Sequence, residues 1–337
     1  MRRKAGLSRV AALCGFAVIW FPLAARGQIS PQAPEAGKKE GEVVLYGAVP
    51  IEASNLIADL FEKQYGIKLK HWRGDATELI NRALTEARAG KNNFDVILGN
   101  EGVMTSIDER GLLEVFAPPA AKGFPKQFRQ PEQRMTPWRV LPYGINYNTQ
   151  LLKAEAAPKT WEELLDPKWK KQFVMANPGL HVTTLQFVLN LDKLLGAKWL
   201  SVVEGWAKQE PRLSGNLAQT AQVLVTGEVP VAISYIKDKF QHNGPIDYVR
   251  MNRYLASVSF VGINPKAPHP NAARLLADFF LGPDVQRIFG NMGEYVINPK
   301  VEHRFKKEVK DDQIVVMRLP AKEELDSWSK KFRELFG

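Results

Sequence analysis

Cysteine is nearly absent from this 337-residue chain, and the one present, Cys14, lies within the first 27 residues. Beyond that segment there is no thiol for a disulfide, a thiolate metal site or nucleophilic catalysis, so an apolar core must supply the stability. The sequence also lacks a Gly-rich phosphate loop, a dinucleotide fingerprint, a His-Glu-x-x-His pair and a Gly-x-Ser-x-Gly elbow. Its five histidines, His71, His181, His242, His269 and His303, are scattered rather than spaced as ligands. No two carboxylates have a spacing that demands acid–base work. These absences lead to the expectation of a non-enzyme with no cofactor and no metal.

What is there is globular. Hydrophobic residues make up 45% and charged residues 24% of the chain, which excludes collagen-like, coiled-coil and wholly disordered states. The length exceeds what one core normally fills, so two lobes are expected. The formal charge of +10 invites a nucleic-acid reading, but Arg2, Arg3, Lys4, Arg9 and Arg26 supply half of it without an acid among them. Later lysines such as Lys306, Lys307, Lys330 and Lys331 are interleaved with Glu308, Asp311, Asp312 and Glu334, the pattern of a solvated face. No nucleic-acid partner is expected.

Residues 1–27 combine a basic start, an apolar run from Val10 to Leu23 and the small-residue stretch Ala25-Arg26-Gly27. That is the layout of a signal peptide cleaved before Gln28, and the run is too short to span a bilayer. Export to the periplasm is therefore expected, with residues 28–41 as a flexible lead-in. From there the pattern alternates: a strand at Val43 to Tyr46, a helix from about Ser54 stopped by Gly66, and a strand at Ile67 to Trp72. A capping box at Asp75-Ala-Thr-Glu78 opens the next helix, and Phe94 to Leu98 is the third strand. This alternation is the mark of an α/β sheet. A second lobe begins after Pro142 to Thr149, with strands at Phe173 to Ala176 and Val229 to Tyr235. Its helices run from Thr183 to Leu195, Lys198 to Gln209 and Asn216 to Thr226. A strand at Val258 to Ile263 returns to the first lobe, followed by helices at Asn271 to Leu281 and Asp284 to Phe289. The chain closes on a helix near Lys322 to Leu335. The expected division is 42–142 plus 258–300 for lobe I and 143–257 plus 301–337 for lobe II.

Several segments carry a family resemblance. They include Val44-Leu-Tyr-Gly47, Phe94-Asp-Val96, Glu109-Arg-Gly-Leu-Leu113 and Pro142-Tyr-Gly-Ile-Asn-Tyr-Asn148. Further on come Pro158-Lys-Thr-Trp-Glu-Glu-Leu164, Gly227-Glu-Val-Pro230 and Ala267-Pro-His-Pro-Asn-Ala-Ala273. Read in order, the chain resembles an extracellular solute-binding protein of a bacterial ABC importer, in the group that includes ferric-iron-binding proteins. The resemblance implies a type II periplasmic-binding-protein fold: two lobes, each a mixed, mainly parallel sheet flanked by helices, with the ligand in the cleft between them. It implies a monomer that closes on a small solute and delivers it to permease and ATPase subunits at the inner membrane. Tyr143, Gly144, Ser257 and Gly262 are the hinge candidates. Ferric-binding members place two adjacent tyrosines where this chain has Lys237 and Asp238, after the single Tyr235. A reduced ligand set for iron is one alternative; an exported sensor or an enzyme on the same fold is another.

Ligands of open α/β sheets sit beyond the carboxyl ends of the strands, where loops feed helix N-termini. That rule selects Gly47, Ala48, Glu52, Arg73, Asp75, Asn100 and Glu101 in the first lobe. In the second it selects Thr183, Thr184, Asn216 and Tyr235. Arg73 is the expected clamp for a negatively charged solute, as a carboxylate, phosphonate, phosphate or metal–anion complex.

Overall fold

The computed structural model describes residues 29–128 and 134–337. The expected signal peptide and Cys14 lie outside the described residues. The first unit opens with β1 (Glu42–Gly47), α2 (Ile51–Tyr65), β2 (Lys68–Arg73), α3 (Ala76–Arg88), β3 (Val96–Asn100) and α4 (Glu101–Asp108). β1 pairs in parallel with both β2 and β3, as a strand–helix alternation requires. Pro50, with φ −54°, and Gly66, with φ +69°, bracket α2. The expected start at Ser54 is therefore three residues late.

Residues 33–40 correct the expectation of a flexible lead-in. They form α1 (Ala33–Glu40), with Pro34 in the first turn and a left-handed stop at Gly41. Ala33 and Gly37 are buried, and a Cβ at Gly37 would meet Leu275 Cδ1 at 3.0 Å. α1 packs on α10 (Pro270–Leu281), whose N-terminus receives the Glu40 carboxylate: Asn271 N donates at 3.2 Å and Ala272 N at 2.8 Å. An acid there offsets the unpaired amides and the positive helix end. That anchor lies 231 residues away in sequence, which is why no local signal announced it.

Two long strands cross the molecule. β4 (Thr136–Asn148) pairs through Thr136 to Pro142 with β9 (Tyr254–Ile263), then through Tyr143 to Tyr147 with β7 (Val231–Tyr235). Pro142 stands where the partner changes, so its missing N–H falls at the handover rather than inside a ladder. β4 and β9 are buried almost throughout. The second unit adds β5 (Phe173–Ala176), α5 (Val182–Leu189), α6 (Asp192–Leu195), α7 (Trp199–Lys208), β6 (Arg212–Ser214), α8 (Leu217–Val225), α9 (Asp238–Gln241) and β8 (Ile246–Tyr248). After α10 follow α11 (Pro283–Asn291), β10 (Tyr295–Val296), α12 (Arg304–Glu308), β11 (Ile314–Val316) and α13 (Lys322–Phe336). The sheet path runs β2-β1-β3-β9-β4-β7-β5-β6, with β8 and β10 on β4 and β11 on β9.

The helix expected from Thr183 to Leu195 is broken in two. Asn190 is the reason: its Nδ2 donates to Gln186 O at 2.8 Å and Arg318 O at 3.0 Å, and its Oδ1 accepts from Arg318 N at 2.7 Å. The Asn190 side chain thus ties the helix end to the segment leading to α13, and Leu191 N turns to Val188 O at 3.2 Å, an i−3 bond in place of the helical i−4 one.

The cores match two lobes. One large cluster holds Val43, Phe61, Val96, Phe260 and Phe280. A second holds Tyr143, Trp161, Phe173, Met175 and Trp206. Val174 faces the other way, into a third group with Val223 and Leu224. β5 is therefore apolar on both faces, as a buried parallel strand is. Val301, Phe305, Val309 and Ile314 join the first cluster, whereas Met317 and Phe332 join the second.

Candidate functional site

A cavity of about 150 Å³ opens where the carboxyl ends of β1 and β3 face the crossing strands and the end of β7. β1 contributes Ala48 and Val49 just beyond its end, and β3 contributes Leu98, Gly99 and Asn100. The crossing strands contribute Arg139, Leu141, Ser257 and Ser259, and β7 contributes Tyr235. The geometry follows from the sheet. Ser259 pairs with both Asn100 and Arg139 in register, so one short stretch of β9 carries polar groups from three strands to one place.

Arg139 dominates the electrostatics. Its Nε lies 3.2 Å from Ser259 Oγ, its guanidinium stacks 4.4 Å above the Trp138 ring, and its Nη1 lies 2.7 Å from Glu294 Oε1. Lys237, two residues past β7, reaches the same oxygen at 3.1 Å, and Gln241 Nε2 does so at 3.1 Å. Glu294 is 4% exposed. Burial alone would raise its pKa, but the charges of Arg139 and Lys237 outweigh that and hold it below the ordinary value. Two cations thus share one buried carboxylate, and the buried acid Asp238 stands beside Lys237.

Around this centre the hydroxyls are linked. Tyr235 Oη lies 3.3 Å from Ser257 Oγ, and its ring meets Tyr143 at 4.6 Å. Burial raises the pKa of Tyr235 and raises that of Tyr143 further. The Tyr143 hydroxyl is buried beside Thr184 and Tyr235, and among the described residues none meets it in ordinary hydrogen-bond geometry. Asn100 caps α4 by accepting from Val103 N at 3.0 Å, which leaves its amide NH₂ free to donate.

The residues selected from sequence divide. Ala48, Asn100, Tyr235 and Ser257 line the one cavity. Gly47 is buried at the end of β1, its carbonyl 3.1 Å from His71 Nε2. Glu101 follows Asn100 at the start of α4, and burial raises its pKa against the pull of Lys193. Arg73, Glu52 and Asp75 are exposed and do not line the cavity. Asp75 completes a capping box, accepting from Glu78 N at 2.9 Å. Asn216, also exposed, caps α8. Thr183 is half-buried and Thr184 buried, and the cap of their helix is His181, which accepts from Thr184 N. Of the hinge candidates, Tyr143 and Gly144 follow the handover at Pro142 directly. Gly262 sits inside the first sheet opposite Ile97, against Leu113 and Met104.

Arg139, Ser259, Lys237 as an ion-pair partner, and Glu294 escaped the sequence reading. Arg139 follows Trp138 in a stretch without clear alternation, and Glu294 lies in a turn between α11 and β10. A lone arginine in an otherwise buried strand was the available clue. At the positions corresponding to the paired tyrosines, Lys237 points to Glu294, and Asp238 is buried, accepting from Ser234 Oγ at 2.5 Å. Burial raises the Asp238 pKa.

Comparison with known proteins agrees with this fold. Residues 57–315 match the family of bacterial extracellular solute-binding proteins. A 147-residue stretch is 26% identical to a probable ABC transporter periplasmic-binding protein, y4fP, of Sinorhizobium fredii, spanning 43% of this chain and 40% of that relative. The fold is similar to iron-bound HitA from Pseudomonas aeruginosa, with TM-score 0.68 and 18% identity over 87% of this chain and 99% of that one. It is also similar to the periplasmic binding protein AfuA from Actinobacillus pleuropneumoniae with fructose 6-phosphate bound. There the TM-score is 0.66, with 20% identity over 88% and 96% of the two chains. At these identities the two structures speak for the fold alone.

Proposed function

The chain belongs to the family of bacterial extracellular solute-binding proteins, and on that premise we propose that it captures a small anionic solute between its lobes for an ABC-type permease. The observation that carries the reading is Arg139, the charged side chain among the residues that line the cavity, set among hydroxyl and amide donors. A guanidinium beside hydroxyl and amide donors binds an oxyanion through charge-assisted hydrogen bonds. Ser257, Ser259, Tyr235 and Asn100 are those donors. The anion clamp assigned from sequence to Arg73 belongs, in this reading, to Arg139. Lys237 and Asp238 offer no phenolate where the iron-binding relatives have their tyrosine pair, which disfavours a bare ferric ion.

Delivery requires that the lobes close on the solute and that the transporter recognise the closed form. Two buried strands and the segment from β11 to α13 connect the lobes, and the partner change at Pro142 is the natural pivot. The mature protein is then periplasmic, beginning near Gln28.

The test is calorimetry of the mature protein against carboxylates, phosphate esters and a cationic polyamine, repeated on Arg139→Gln. That variant leaves Glu294 paired with Lys237, so the fold is retained. It should lose on the order of 2–5 kcal/mol of binding to the best solute. Small-angle scattering should show a smaller radius at saturation. A polyamine as the tightest ligand, or unchanged affinity in Arg139→Gln, overturns the proposal.

A further inference from the structure

Resting on the anionic reading, the lining of the cavity narrows the solute class. We propose that the site takes a singly charged carboxylate carried on a small apolar body, such as a branched short-chain or monocyclic aromatic acid. The first observation is charge. Arg139 is the charged side chain among the lining residues, and one guanidinium matches one carboxylate. A phosphate monoester, close to a dianion at neutral pH, would bring one negative charge more than that guanidinium carries.

The second observation is the apolar share of the lining. Val49, Leu79, Leu98, Val103 and Leu141 face the same space and carry no polar side-chain atom. All but a few per cent of the surface of each is already buried. A polyhydroxylated body pressed there would leave its hydroxyls without partners, whereas a hydrocarbon body loses nothing on leaving water. The donors are few: Arg139 and Ser259, the Tyr235–Ser257 pair at 3.3 Å, and the amide of Asn100. A molecule with one polar group on an apolar body matches that lining.

The third observation is size. At about 150 Å³ the cavity has the volume at which an aliphatic-lined protein cavity accepts a benzene-sized molecule. Its carboxylate would lie at Arg139 and its body against Leu79 and Leu98.

Calorimetry on the mature protein with benzoate, 3-methylbutanoate, benzamide, fructose 6-phosphate and spermidine tests this. At least one of the two carboxylates should bind with one-to-one stoichiometry, and benzamide, which keeps the ring and loses the charge, should bind about 100-fold more weakly. Ala76→Trp places a large side chain at the mouth from the exposed first turn of α3. It should abolish carboxylate binding while the ligand-free melting temperature stays near that of wild type. Tighter binding of fructose 6-phosphate than of either acid overturns this inference and leaves the anionic reading standing. Spermidine as the best ligand ends both. No heat from either acid, or carboxylate binding unaffected by Ala76→Trp, also overturns the inference.

Discussion

Replacing Glu294 with glutamine preserves the shape of the side chain, removes its charge, and leaves Arg139 and Lys237 without their shared counter-ion. Both cations are held close, at 2.7 and 3.1 Å from the same oxygen, with side chains 18% and 17% exposed. Removing one member of a buried ion pair typically destabilises by about 3–5 kcal/mol, because the remaining charge stays desolvated. The partial exposure of the two cations places this case near the low end, about 3 kcal/mol. Urea unfolding of both proteins at pH 7 measures it. The pH dependence supplies a stricter check. Glu294 has a folded-state pKa below its ordinary 4.5. Its contribution is therefore complete above that value and is lost as pH falls through the folded pKa. The gap between wild type and Glu294→Gln should accordingly close in the acid range below 4.5. The same variant removes a negative charge beside Arg139, so affinity for the proposed anionic solute should rise while stability falls. A loss under about 1 kcal/mol at pH 7, or a gap that persists unchanged into acid, refutes the charge assignment of the floor.

Buried His303 donates from Nε2 to Val296 O at 3.0 Å, and burial pushes its pKa down to about 4. Stability should therefore be full above pH 6.5 and fall by about 3 kcal/mol toward pH 4; His303→Gln should flatten that slope, and an equal slope in both proteins would refute it. A Cβ at Gly144 would stand 2.3 Å from Ile236 Cγ2, so Gly144→Ala should destabilise by about 1–3 kcal/mol through overpacking beside the handover. In an Ile236→Ala background the cost of Gly144→Ala should shrink in urea unfolding, and an undiminished cost would place the strain elsewhere. Asp75→Ala breaks the capping box of α3 and should lower stability by about 1 kcal/mol, with solute affinity within twofold of wild type, because Asp75 lies outside the cavity.

Much of the fold was legible because its signals are local. The capping box at Asp75, the stop at Gly66 and the apolar stripe of α13 each depend on neighbours within a few residues, and each appears in the structure. α1 was missed because its stability comes from packing on α10, and Pro34, Lys38 and Lys39 gave it the composition of a linker. α5 was drawn too long because the Asn190 side chain ties the helix end to Arg318, 128 residues on. The cleft was half legible. The rule of strand ends found Ala48, Asn100 and Tyr235, since it depends only on where strands stop. It passed over Arg139 and Ser259, which sit within strands, and placed weight on Arg73, whose side chain turns to solvent.

The sequence by itself determined the class of the molecule. Near-absence of cysteine left the core to do the stabilising, and the period of its apolar residues specified alternating strands and helices in two lobes. The order of its motifs marked the solute-binding family. Only the tertiary structure decided the charge of the cleft. Arg139, Lys237 and Glu294 come from a crossing strand, the end of a second-lobe strand and a turn before β10, and no pairwise spacing along the chain relates them. Propensity and capping act over a few residues, whereas an ion pair forms wherever the sheet brings two charges within reach. The handover of β4 at Pro142 sets that meeting.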